Sequence, residues 1–498
     1  MNVNPITRLD YPDMDVIRVE DTYYMVSTTM HFMPGCEILQ SFDLVHWEHV
    51  NYVYETLDHT DAQQLKSGQN IYGQGMWAAS LRYHEGRFYV CFVANDTRKT
   101  YLYISEKIDG PWKKQLIEGF YHDGSLLFDE DGRNYIVYGN DEIWITELNE
   151  DLTAPKKDGL HRLLVSDHKN PKLGYEGSHI QKINGYYYIF LVHSLRDRWM
   201  RTEACFYSDS LEGEFTGGDV LCDDRGYCGQ GVAQGGIVDT PDGKWYAMLF
   251  QDSGAVGRIP ILLPVTWKDH FPIFGQNGHV PEEIEVHSTR PGYIYQPLVG
   301  SDDFCNGLLP RWQFNHDPDP RYYHLDALQG TYTITTREVC TELTQAVNTL
   351  TQRMSYPSCA AEVTVDASAL KEGDVAGLCA LQGCYAAVGI TKHHGKYEVL
   401  MLDKKEDGIL DMTEGTVVES HQMDFRLEAD FCNMKDEARC YYRVNKGDWL
   451  PIGNVHKLYF KLDHFTGCRF GLFCYAAEET GGSACFRDFK YYDVDEIS

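Results

Sequence analysis

The stretch GYEGSHIQKINGYYYIF, Gly174 to Phe190, sets a glutamate at the mouth of a β-hairpin. Asn184-Gly185 is a strong two-residue turn signal, and Tyr186 through Phe190 are strand formers. The signal recurs four times. EDTYY ends at Tyr24, EGRFY at Tyr89, DGRNY at Tyr135 and DGKWY at Tyr246, each flanked by strand-like runs. The terminal tyrosines are separated by 65, 46, 53 and 58 residues. A four-stranded antiparallel sheet occupies roughly 40–60 residues. Five such units without a long amphipathic helix between them predict an all-β array closed on itself, a five-bladed β-propeller over residues 1–292.

In a propeller the first strand of each blade lines the central channel, so residues at its start surround the channel mouth. Twelve residues before Tyr188 is Glu176, before Tyr135 Asp123, before Tyr246 Gln234 and before Tyr89 Trp77; eleven before Tyr24 is Asp13. Matched positions in the five blades are therefore expected to hold Asp13, Trp77, Asp123, Glu176 and Gln234, converging on one axis. The aromatics after the turns, such as Phe88 and Trp245, read as blade packing.

The 498 residues include 74 acidic and 44 basic side chains, for a formal charge of -30. That balance argues against nucleic acid and anionic membranes as partners, since both attract a basic face. The 34 Tyr and 9 Trp favour β structure and surfaces that stack on sugars. There is no apolar run of about 18 residues. The opening MNVNPITRLDYPD has neither a basic nor an apolar leader region, so no signal peptide is expected. Fifteen cysteines without a CxxC pair read as buried thiols of a reducing compartment, and the expected location is the cytoplasm.

Three converging carboxylates either bind a cation or do acid–base work. A DxDxDG calcium loop is missing from the sequence. Glycoside hydrolysis requires one protonated and one ionised carboxyl flanking the scissile bond, and a third can raise the acid's pKa by repulsion. Asp13, Asp123 and Glu176 supply those parts.

The residues also carry a resemblance. NPITRLDYPDMDVIRVEDTYYMVSTT, FMPGCEILQSFDLVHWEHV, MWAASLRYHEGRFYVCFV, HDGSLLFDEDGRNYIVYG, YEGSHIQKINGYYYIF and QGGIVDTPDGKWYAMLF followed by GRIPILLPVTW run in order over about residues 1 to 290. They resemble family 43 of the glycoside hydrolases, the propeller β-xylosidases and α-L-arabinofuranosidases. The resemblance implies Asp13 as general base, Glu176 as general acid and Asp123 as the residue that tunes and orients the acid, in a reaction that inverts the anomeric centre. It implies Phe32 as an aromatic wall of the sugar pocket, Trp77 in a matching WA element and Arg258 as a contact to sugar hydroxyls, with Gln234 at the remaining blade position. Many family members carry a histidine at the position of Gln234, beside a central ion or water cluster. An amide is a poorer ligand, so no cofactor is expected to be required and a central Ca2+ is not supported. LVHSLRDRWMRTEAC, Leu191 to Cys205, departs from the common pattern, which makes His193 and Arg201 candidates for an unusual leaving-group side.

Pro and Gly punctuate the chain around 289–300, and from Ser301 onward short alternating strands follow. They predict a β-sandwich over 301–498, resembling the jelly-roll, concanavalin-like domain appended to many family 43 xylosidases. By that analogy an aromatic near Phe465 approaches the site. The function implied is exo-hydrolysis of terminal β-D-xylosyl or α-L-arabinofuranosyl residues from small plant-derived oligosaccharides. The alternatives are an endo-arabinanase on the same fold and a non-catalytic sugar binder. A homo-oligomer is left open.

Overall fold

The computed structural model describes residues 3–413 and 415–493; residues 1–2, 414 and 494–498 lie outside the described residues. Five four-stranded sheets follow one another along the chain; four are built from consecutive strands, and the first skips the two-residue strand Phe32–Met33 between its second and third members. Their first strands are Asp15–Val19, Met76–His84, Ser125–Phe128, Glu176–Ile183 and Val232–Asp239. Each of these touches the next, and the fifth touches the first, so the sheets are the blades of a closed five-bladed propeller. Among the described residues there is no α-helix, and no helix is long and apolar enough to cross a membrane.

The recurring tyrosines pair across their hairpins with Ile17, Arg82, Leu127, Gln181 and Val238. Four residues before each of those partners stand Asp13, Ala78, Asp123, Gly177 and Gln234. All five have left-handed backbones, with φ of 52°, 27°, 49°, 66° and 64°. This is the true ring of equivalent positions, and it corrects the expectation at two of them. Trp77 and Glu176 stand one residue earlier. The cause is hairpin length: the first, second and fourth blades turn through two residues, the third and fifth through five. A fixed count back from the tyrosine therefore slips by one. Positive φ at four non-glycine residues in equivalent places is local strain that the surrounding ring must hold.

Two residues further along the same strands lies a second ring, Asp15, Ser80, Ser125, His179 and Gly236. Its side chains stitch one blade to the next. Asp15 accepts the Leu81 N–H at 2.8 Å, Ser80 the Leu126 N–H at 3.1 Å and Ser125 the Ile180 N–H at 3.0 Å. Arg82 fills the axis below, donating to Asp15 at 2.7 Å, Ser125 at 2.7 Å and the Leu126 carbonyl at 2.8 Å. Burial alone would raise the Asp15 carboxyl; Arg82 and His179 outweigh it and hold the group down at about 2. The channel is thus plugged by a satisfied polar cluster, and the first ring becomes the floor of a one-ended pocket.

The ring closes without strand exchange. The Asn4 side chain bonds both backbone groups of Leu262, and Ile6 donates to the Pro260 carbonyl, so the N-terminal segment is stitched to the last blade. The C-terminal part is a sandwich of one nine-stranded and one seven-stranded sheet around a large apolar core. One strand of the larger sheet, Phe32–Met33, comes from the propeller. Arg353 crosses the junction the other way. It bonds the buried Glu37 at 2.7 Å and the Asp10 carbonyl at 2.9 Å, with its guanidinium over the Tyr11 ring at 4.1 Å.

Candidate active site

Asp13 follows Tyr11-Pro12 at the start of the first blade and is 7 % exposed. Arg258 Nη1 donates to its Oδ1 at 3.0 Å and Thr28 Oγ1 to its Oδ2 at 2.8 Å. Thr28 in turn accepts the Ala78 N–H at 2.8 Å. A donor on each oxygen fixes the carboxylate plane, and the guanidinium compensates the burial of its charge. Arg258 is itself only 2 % exposed and stacks on the Phe465 ring at 4.3 Å.

Glu176 enters from the fourth blade. Its Oε2 accepts from Asn140 Nδ2 at 2.7 Å. Asp123, from the third blade, accepts the Gly177 N–H at 2.8 Å, which ties it to the residue beside the glutamate. His122 Nε2 sits between the two acids, 3.5 Å from Asp123 Oδ2 and 3.6 Å from Glu176 Oε2. Burial, then Glu176 and Asp13, push Asp123 up to about 6 against the opposing pull of His122. Burial works against the His122 imidazolium, but Asp123 and Glu176 overcome it and push that group up to about 9. The ligand-type atoms of His122, Asp123 and Glu176 lie within 4.8 Å of one another. A cation held there would occupy the oxygens that acid–base work needs.

Gln234 supplies the remaining floor position. Its N–H goes to Glu203 Oε2 at 2.6 Å. Glu203 is fully buried, and burial pushes its carboxyl well above the usual range. Gly177 is required beside it: a Cβ there would stand 2.7 Å from Gln234 Cγ.

Above Glu176 opens a cavity of about 540 Å³. Trp77, Trp199 and Arg201 line it from the propeller, and Phe460, Leu462 and Phe465 from the sandwich. Phe465 approaches Trp77 with ring centroids 5.5 Å apart. The Trp77 indole N–H is buried without a partner among the described residues. Arg201 is paired with Asp252 at 2.9 Å on the same wall.

Of the nine residues singled out from sequence, Asp13, Asp123, Glu176, Gln234 and Arg258 meet around this floor, and Trp77 and Arg201 stand on its wall. Phe32 does not. It is 1 % exposed, pairs with Asn315 in the sandwich sheet and lies under the Arg469 guanidinium at 3.5 Å. The correction has a plain cause: the two-residue strand Phe32–Met33 is pulled into the second domain's sheet, and Thr28, four residues earlier, is the member of that segment that reaches the acids. His193 also turns away, bonding Asp219 at 2.7 Å. Thr28, His122, Asn140 and Glu203 were not singled out. Only His122, adjacent to Asp123 in HDGSLLF, carried a signal that could have found it.

The model of the Glycosyl hydrolases family 43 matches residues 3–272, and that of the Beta xylosidase C-terminal Concanavalin A-like domain matches residues 301–492. A beta-xylosidase of Formosa agariphila is 27 % identical, the alignment covering 99 % of this chain and 89 % of that protein. A non-reducing end alpha-L-arabinofuranosidase of Bacteroides ovatus is 25 % identical over 66 % of this chain and 63 % of that one. Among solved structures, a bifunctional GH43-CE protein of Bacteroides eggerthii superposes with a TM-score of 0.92 at 42 % identity. That match covers 99 % of this chain and 64 % of the longer protein. With catalytic-type carboxylates from three blades meeting under a wall supplied by the second domain, and with both halves matched, the chain belongs to family 43 of the glycoside hydrolases.

Proposed function

We propose that the protein is an inverting exo-glycosidase that releases terminal β-D-xylosyl or α-L-arabinofuranosyl residues from short hemicellulose-derived oligosaccharides. The observation that carries this reading is a pocket whose axis is plugged: Asp13 and Asp123 are nearly buried and lie close to Glu176, and Glu176 and Phe465 of the second domain line the adjoining cavity. A pocket of that shape takes a chain end, whereas an internal cut needs an open groove. The names of the Formosa and Bacteroides relatives support the same substrate class.

In the reaction, Asp13 accepts a proton from a water whose oxygen attacks the anomeric carbon. The bond from that carbon to the glycosidic oxygen breaks on the opposite face, and Glu176 gives its proton to the departing oxygen. One water is consumed and one hydroxyl formed on each product. Asp13 ends protonated and Glu176 ionised, and exchange with solvent resets both. Asp123 and Asn140 hold Glu176 in place, and Arg258 and the Trp77 N–H bind sugar hydroxyls. No step requires a metal.

The test is a side-by-side assay with 4-nitrophenyl β-D-xyloside and 4-nitrophenyl α-L-arabinofuranoside, with product analysis on longer oligosaccharides. Release of monosaccharide with inverted configuration is expected. Oligomers from internal cuts, or binding without turnover, overturn the reading. Glu176→Gln should lose about 10²–10⁴-fold in kcat on natural leaving groups and distinctly less on activated fluorides.

A further inference from the structure

Trp199 is 46 % exposed and lines the cavity that Glu176 also lines. It lies in the tip of the hairpin joining Tyr186–Ser194 to Arg201–Ser208. In that blade Glu176 pairs with Val192, and the last paired residues before the tip are Ser194 and Arg201. The tip therefore projects past Glu176, on the side where the cavity opens. A general acid hands its proton to the glycosidic oxygen, so whatever lies beyond it is the leaving group.

The ring is also held. The Arg201 guanidinium stands 5.4 Å from the Trp199 ring and 5.4 Å from Phe250. Arg258 stands 5.4 Å from the other partner of that stack, Phe250, and 4.3 Å from Phe465. Trp199, Arg201, Phe250, Arg258 and Phe465 thus form one ladder of alternating cations and rings, from the cavity mouth to the residue that grips Asp13. Every member but Trp199 is buried or half-buried. A cation against one side of an indole orients it and leaves its outer face for a ligand. Leu462 of the second domain, 72 % exposed, lines the same cavity.

We propose that Trp199 is the platform of the leaving-group subsite and that its occupant is a pyranose ring, the xylopyranosyl unit next to the scissile bond. A pyranose with equatorial hydroxyls presents a flat face of axial C–H groups, which suits an indole plane. A puckered furanose presents no such face. The chemistry is the same whether the sugar removed is xylose or arabinofuranose, because the unit left behind is xylopyranose in both. The inference rests on the glycosidase reading above.

The test compares Trp199→Ala, Trp199→Phe and the parent enzyme on xylobiose, or an arabinofuranosyl xylobiose, and on the matching glycosyl fluoride, whose leaving group does not reach Trp199. The readout is the ratio of kcat/KM for the oligosaccharide to kcat/KM for the fluoride. It should fall roughly tenfold or more in Trp199→Ala, mainly through KM, and by much less in Trp199→Phe. A ratio unchanged in Trp199→Ala overturns the proposal, as does an equal loss on both substrates. A parent enzyme that hydrolyses neither substrate overturns the function reading instead. Because the ring is at an exposed hairpin tip, both variants should fold with unchanged circular dichroism, and Trp199→Phe keeps the comparison available if the alanine variant does not.

Discussion

At the scale of single residues, the site depends on backbone positions that few side chains tolerate. Gly177 has φ of 66°, donates to Asp123 and leaves room for Gln234. Gly177→Ala should therefore cost about 1–3 kcal/mol in urea unfolding and depress kcat, because the added methyl meets Gln234 and shifts the neighbouring Glu176. His122 offers a second handle. Its cation opposes the burial that raises Asp123 towards 6. Removing it in His122→Asn leaves the carboxyl cluster holding protons to higher pH, so the alkaline limb of the kcat profile should move upward. A limb that stays in place or moves down would show that His122 has no electrostatic hold on the acids.

At the scale of elements, the segment from Leu458 to Gly467 carries function into the sandwich. Phe460 and Phe465 face the cavity, while the far end is tied down by Gly467 N–H to Asp10 at 2.7 Å and Cys468 N–H to the Ala255 carbonyl at 2.8 Å. The same Asp10 accepts the Arg258 N–H at 2.7 Å through its other oxygen. One aspartate thus registers the second domain's loop against the arginine that grips Asp13. A Cβ at Gly467 would collide with the Val256 carbonyl and with Asp10. Gly467→Ala should lift the loop, raise KM for every substrate and leave the far-ultraviolet circular dichroism of the blades unchanged. Equal KM in parent and variant would show that the loop is not part of the sugar pocket.

At the scale of the whole molecule, the two domains are one folding problem. Glu37 is buried, and Arg353 with His49 holds it down at about 2 despite that burial. Arg353→Met leaves Glu37 buried without its main partner and should destabilise the propeller by about 3–5 kcal/mol, measured by denaturant unfolding. Nearby, His31, His316 and His464 cluster with Tyr72, with His31 4.9 Å from His316, and Tyr72 stacked on His464 at 4.0 Å. Burial lowers all three, His31 and His316 far below the ordinary value and His464 to about 4. The unfolded chain then binds protons that the native state refuses. The junction is at full strength above about pH 6.5 and weakens as pH falls from there, through about 4 for His464 and onward for His31 and His316. Thermal unfolding followed across that window should show the midpoint falling, and His464→Phe should flatten the slope.

The sequence by itself determined the number of blades, the all-β class and the family. It also picked out the three acids, with Gln234 and Arg258, that the fold brings together. Those features are local: a turn signal, an alternating strand and a short motif are complete within a few residues. Only the tertiary structure decided the phase of the ring, because that depends on whether a hairpin turns through two residues or five. It alone placed Phe32 in the second domain's sheet and gave Thr28, His122 and Asn140 to the acids. It also set Phe465 against Arg258, 207 residues away in the chain. Contacts between segments so far apart are set by ring closure and domain docking, where burial and charge pairing across the junction outweigh anything a local stretch encodes.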